Sequence, residues 1–209
     1  MHMDRRQFVK NLGLGTASLS MGSLVTASSF APSGDSSLKQ SVKEGEDGQF
    51  LFIGDDIAIA QTEYGKVQGY LLNHVYTFLG VPYGADTSGK NRFMPPQKPE
   101  PWTDVRPAVF YGNTAPQRME NRWPNNYGTF ADHWNYWDVS EDCLYLNVWT
   151  PGIADGKKRP VLVWLHGGGF TNGSGIEQDG YHGENISREG DIVFCSINHR
   201  LGPIGFSDL

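Results

Sequence analysis

Cysteine is nearly missing from this chain: Cys143 and Cys195 are the only two among 209 residues. Two thiols build no disulfide scaffold, and their spacing matches no metal-binding pattern. Positive charge is also scarce, with 17 Lys and Arg against 23 Asp and Glu, for a formal net charge of −6. Outside the N-terminus the longest basic run is the three residues Lys157-Lys158-Arg159, and so short a run argues against nucleic acid as a partner. A bilayer span needs about 20 predominantly apolar residues. The longest uncharged stretch, Asn11 to Gly34, is broken by glycines and hydroxyls, so no membrane span is expected. Phosphate cradles are absent too, because the chain has neither a G-x-G-x-x-G nor a P-loop lysine. No metal or organic cofactor is implied.

What is present divides the chain into three materials. Asp4-Arg5-Arg6-Gln7-Phe8-Val9-Lys10 is a charged start, followed by the uncharged run and by Val25-Thr26-Ala27, small residues of the kind a signal peptidase reads. Paired arginines, a weakly apolar run and a small-residue site in this order predict an export signal over residues 1–27. The Arg5-Arg6-x-Phe8 pattern resembles the twin-arginine type, so the mature protein is expected in the periplasm or outside a bacterial cell. Residues 28–49 are Ser, Gly, Asp, Glu and Lys with few apolar side chains, the composition of a flexible linker. Aromatic residues, 12% of the chain, lie mostly beyond residue 50. A folded domain over 50–209 is therefore expected.

Within that domain, Ile57–Thr62, Gly65–Leu72 and Val75–Leu79 read as short strands. From residue 82 to 128 a proline-rich segment of little periodicity follows, and long loops of this kind are often functional. Leu144–Trp149, Val161–Leu165 and Asp191–Ile197 are further strands. The last two are almost continuously apolar, which predicts burial on both faces. Gly183–Glu189 suits a short helix between them. Strand, loop, helix, strand points to a mixed, mostly parallel sheet flanked by helices.

The chemistry concentrates at His166-Gly167-Gly168-Gly169-Phe170, directly after the strand ending at Leu165. Three glycines leave backbone N–H groups uncovered and free to take unusual dihedrals. Neighbouring N–H groups aimed at one point stabilise the oxyanion of a tetrahedral intermediate. In this strand-to-loop context the motif is the oxyanion-hole element of lipases and esterases.

Its surroundings carry a family resemblance. Glu141-Asp142-Cys143-Leu144-Tyr145-Leu146-Asn147-Val148-Trp149-Thr150-Pro151 resembles a signature of the type B carboxylesterases, which include para-nitrobenzyl esterases and cholinesterases. Phe78–Tyr83, Arg92-Phe93 with Pro95-Pro96, Pro101-Trp102 and Asn198–Phe206 match in the family's order. The resemblance covers about residues 55–209. It implies an α/β-hydrolase fold, a Ser-Glu-His triad, a small-molecule ester as substrate, and oxyanion donors at Gly168 and Gly169. A third donor would follow the nucleophile.

No serine here sits in a G-x-S-x-G elbow; Ser207 comes nearest, with Leu209 where the second glycine should be. The resemblance places the elbow after the Asn-x-Arg-Leu-Gly segment. The chain is thus read as an N-terminal portion, truncated before the elbow and inactive alone. His133, His166, His182 and His199 align with non-catalytic positions. His199 stands where many relatives have Tyr, with little consequence expected. The resemblance also implies an ion pair between Arg92 and Glu141 and a structural role for Arg200. It leaves Cys143 without its usual partner, because Ala115 stands before Pro116-Gln117. Phe170, Trp134 and Trp137 are candidates for the substrate pocket; the two tryptophans equally suit anchors of a long loop. A non-catalytic adhesion or binding role is the alternative reading, disfavoured by the intact glycine loop.

Overall fold

A computed structural model of the chain describes residues 50–118 and 138–207. They belong to one compact unit, Lys43–Leu209. The expected signal and linker, and the aromatics from Trp123 to Trp137, lie outside the described residues.

Two sheets organise the described part. The larger has six strands: β1 (Leu51–Phe52), β4 (Tyr70–Leu72), β5 (Val75–Pro82), β7 (Tyr145–Thr150), β9 (Val193–Ile197) and β8 (Val161–Trp164), in the spatial order β1-β4-β5-β7-β9-β8. The smaller joins β2 (Ile59–Gln61), β3 (Lys66–Gln68) and β6 (Arg106–Pro107). A helix, α1 (Glu184–Gly190), packs on β5, β7 and β9, and a short α2 (Pro203–Phe206) follows β9.

The segment expected as one strand, Gly65–Leu72, is two. Gly69 parts β3 from β4, and a Cβ there would lie 2.0 Å from the Thr77 carbonyl oxygen. β4 then turns into β5 through Asn73 and His74, at φ of 48° and 67°. Two left-handed residues suit the twist of a two-residue hairpin. β5 carries a bulge between Phe78 and Val81. The bulge takes the Gly80 N–H out of the ladder, and the buried Asn147 side chain accepts it at 3.0 Å.

The sheet is mixed, as expected, but among the described strands antiparallel pairing dominates. Four of the large sheet's neighbouring pairs are antiparallel, and only β8 and β9 run parallel. Short turns produce antiparallel neighbours, whereas parallel ones need a long crossover. Within the large sheet the described chain makes that crossover once, from β8 through α1 to β9.

Two apolar clusters cover the faces of β5. Phe78 and Val81 pack with Ala58, Val67 and Ala108 below the small sheet; Val75 and Leu79 pack with Trp149 and Phe194 near α1. β9 is buried, as its sequence predicts. β8 is not: Val161, Val163 and Leu165 are 64%, 54% and 64% exposed. The apolar run 161–165 was expected to be buried on both faces. Among the described residues β8 is the outermost strand of the sheet and pairs with β9, so the second strand neighbour that a buried run expects is not among them. No helix among the described residues is long and apolar enough to cross a membrane.

Candidate oxyanion site

β8 delivers the chain to Leu165 and His166, and the glycine loop begins. Gly168, Gly169 and Phe170 have φ of +126°, +61° and +64°. Such a run of left-handed dihedrals is accessible at low cost mainly to glycine. The Gly168 carbonyl accepts the N–H groups of Thr171 and Asn172, each at 3.2 Å, and the Thr171 hydroxyl at 3.1 Å. The loop is therefore a tight turn closed on its own backbone.

The Gly168 and Gly169 amides donate to no partner among the described residues. Both residues line a cleft of about 610 Å³. Backbone N–H groups rarely lack partners unless they face solvent or a ligand. Leu144, Leu165, Ile197, Leu201 and Phe206 also line this cleft, an apolar surround that strengthens any hydrogen bond formed inside it.

Three further contacts hold the loop. The Gly202 N–H donates to the Phe170 carbonyl at 2.7 Å. The Gly173 N–H donates to Gln117 Oε1 at 2.8 Å, while Gln117 Nε2 donates to the Gly173 carbonyl at 2.9 Å. The buried His166 ring lies 4.5 Å from the His199 ring at an interplanar angle of 4°. His199 meets Phe206 edge-on at 5.9 Å, and Phe206 meets Phe170 at 4.7 Å. Four rings thus form one continuous wall beside the donors. At the other side of the cleft, the Tyr83 hydroxyl donates to the Asn198 carbonyl at 2.7 Å, and burial pushes its pKa well above the usual phenol range. Tyr83 therefore stays a neutral donor.

Of the residues singled out from sequence, Gly168, Gly169 and Phe170 meet at the cleft. Trp134 and Trp137 fall outside the described residues. Arg92 Nε donates to Glu141 Oε2 at 2.8 Å. Arg200 lines the cleft and donates from Nη1 to the Met94 carbonyl at 2.9 Å. Cys143 is buried against Ala115 and Leu201, and its pKa is pushed up to about 12 by burial and by Asp142. Ser207 ends α2 and lines a separate hollow beside Met94 and Pro203.

His199, where little consequence was expected, stacks on the His166 ring. Gln117 and Phe206 were missed as site residues. Gln117 lies 56 positions from Gly173, and no local pattern encodes a contact at that separation. No group of three or more His, Cys, Asp or Glu side chains among the described residues is arranged to hold a metal ion.

With this geometry in place, the relatives are informative. Residues 56–209 match the model of the carboxylesterase family. The chain is 45% identical over 148 residues to a phenmedipham hydrolase of Pseudarthrobacter oxydans, covering 71% of this chain and 29% of that one. It is 39% identical over 154 residues to a para-nitrobenzyl esterase of Bacillus subtilis, covering 72% and 29%. Among solved structures, an esterase from Clostridium hathewayi that hydrolyses aliphatic aromatic polyesters superposes with a TM-score of 0.66 at 40% identity. That match covers 76% of this chain and 30% of the esterase. A Geobacillus stearothermophilus carboxylesterase gives a TM-score of 0.60 at 38% identity, covering 71% and 28%. The chain spans under a third of the length of these relatives.

Proposed function

The chain belongs to the carboxylesterase family, and on that premise we propose that it forms the oxyanion-holding part of an exported serine hydrolase of carboxylic esters. The observation that carries this is the pair of amides at Gly168 and Gly169, which donate to no partner among the described residues and are held in a turn that opens on an apolar cleft. In the proposed reaction a serine hydroxyl attacks the ester carbonyl carbon and loses its proton to a histidine base. The carbonyl electron pair moves to oxygen, and the Gly168 and Gly169 N–H groups take the resulting negative charge. Collapse re-forms the carbonyl and expels the alkoxide, which takes the proton from the histidinium and leaves as the alcohol. Water then attacks the acyl-enzyme by the same steps, releasing the acid and the free serine.

The family resemblance implies a serine in a G-x-S-x-G elbow, with the acid and the histidine further along the chain. None of its serines lies in a G-x-S-x-G elbow. The proposal therefore assigns them to sequence outside these 209 residues and predicts no esterase activity for this chain alone. The test is para-nitrophenyl acetate hydrolysis by this purified chain and by a longer product that includes an elbow. Only the longer product should turn over, and Gly168→Ala should lower its kcat by about 10²–10³. Turnover by the 209-residue chain that survives purification and vanishes on Gly168→Ala would sink the assignment. A longer reading frame in which another residue replaces the elbow serine would favour the binding role instead.

Export rests on the Arg5-Arg6 start and the Val25-Thr26-Ala27 site. Cell fractionation should find the mature form outside the cytoplasm, beginning near Ser28. Cytoplasmic protein with its N-terminus intact would refute it.

A further inference from the structure

The glycine loop does not hold its own neck. Gly173 passes so close to the loop's start that a Cβ on it would lie 2.3 Å from the Gly167 carbonyl oxygen and 2.4 Å from His166 Nδ1. Its φ of +113° excludes most other residues as well. Gly173 is thus packed directly against the main chain of Gly167 and the ring of His166, the two residues that lead into Gly168. The position of Gly173 is fixed by a side chain from another part of the fold. Gln117 meets it with a donor and an acceptor at once, at 2.9 and 2.8 Å, and a third bond from Nε2 to the Ala115 carbonyl at 3.1 Å fixes the amide plane. Ala115, one residue beyond the buried Thr114, is itself buried, so the clamp is anchored in the core.

We propose that Gln117 is a positioning residue for the oxyanion donors, acting through the main chain of Gly173. This rests on Gly168 and Gly169 being those donors. A primary amide suits the task because it donates and accepts in one plane. A carboxylate keeps only the acceptor and an apolar isostere keeps neither. Misplacing a donor matters because oxyanion hydrogen bonds act in the transition state, so the loss falls on kcat and leaves KM.

Two readouts test this with Gln117→Met and Gln117→Glu. The first is amide hydrogen exchange, read at Thr171, Asn172 and Gly202. Their amides close or tether the loop but make no bond to Gln117. In Gln117→Met they should exchange at least about tenfold faster, while amides of the β7–β9 ladder are unchanged. The second is turnover by the longer esterase. There kcat should fall by about 10- to 100-fold with KM within about twofold, and Gln117→Glu, which turns an acceptor-only oxygen onto the Gly173 and Ala115 carbonyls, should fall at least as far as Gln117→Met. Unaltered exchange at those three amides would overturn the proposal. So would acceleration spread evenly through β7 and β9, or equal changes in kcat and KM. If the wild-type longer protein hydrolyses no ester, the enzymatic reading fails, while the exchange result still decides whether Gln117 sets the loop.

Discussion

The three adjacent glycines of the loop should respond very differently to the same substitution. At Gly167 an added Cβ meets nothing within 4 Å, and its φ is not positive. Gly167→Ala should leave kcat within about twofold and stability within about 0.5 kcal/mol, as for other unstrained sites. At Gly169 there is also open space, but φ is +61°. A left-handed alanine costs about 1–2 kcal/mol, so kcat should fall by about tenfold as the loop relaxes away from that dihedral. At Gly168 both penalties coincide: φ is +126°, and the Cβ would lie 1.8 Å from the Asn172 carbonyl oxygen. That oxygen is backbone, so no side-chain rotation relieves the overlap. The Asn172 N–H bond to the Gly168 carbonyl must break and the turn must open. Losing one aligned donor costs about 10²–10³ in kcat, and Gly168→Ala should reach that range. The assay is para-nitrophenyl acetate turnover by the longer esterase, resolved into kcat and KM, with a urea melt of each variant as control. The reasoning is refuted if Gly167→Ala is as damaging as Gly168→Ala. It is also refuted if Gly168→Ala keeps its kcat within roughly threefold of wild type, since a lost transition-state donor must appear in kcat.

Three other outcomes follow from the cysteines. Cys143 packs against Ala115, both nearly inaccessible, so Ala115→Cys should oxidise to a bridge with Cys143 and leave Cys195 as the free thiol. Closing a loop of about 29 residues removes about 3–4 kcal/mol of unfolded-state entropy. A melt raised only under oxidising conditions, with thiol titration, checks this, and no bridge after prolonged oxidation would count against the packing described. Native Cys143 and Cys195 should ignore a thiol reagent at pH 8 and react on unfolding. Their pKa values are pushed up to about 12 and about 11, mainly by burial. The folded state thus keeps both protons longer than the unfolded chain, whose thiols titrate near 9. The stability they contribute is whole below about pH 9 and is lost as pH rises through about 11 and 12. A midpoint that declines above pH 9 in wild type, and less steeply in a Cys143→Ala, Cys195→Ala double variant, is the expected result; parallel profiles would contradict it.

Several features of this protein were legible in the residues alone. The His166–Phe170 motif after an apolar run located the candidate site, because a strand followed by three glycines has few other uses. The strands at 145–150 and 193–197 were legible within two residues, since hydrophobic periodicity is local. So was α1, bounded by Gly183 before it and the left-handed Asp191 after it. The Arg92–Glu141 contact was anticipated from resemblance, not from spacing.

Other features depended on the assembled fold. An apolar run such as Val161–Leu165 reads the same whether it becomes a central strand or an edge, and only pairing decides. Among the described residues β8 has β9 on one side and no strand on the other. The chain spans under a third of its relatives' length, so the exposure of the β8 side chains does not count against the buried strand their composition predicts. The split at Gly69 required knowing that the Thr77 carbonyl passes 2.0 Å from where a Cβ would sit. The loop's support was equally invisible. Gln117, His199 and Gly202 reach His166–Gly173 from distant positions, and a contact between distant residues leaves no periodic trace. The sequence by itself determined which glycine amides are proposed to hold an oxyanion. The tertiary structure decided what holds them still, because only folding brings a side-chain amide from residue 117 against the main chain of residue 173.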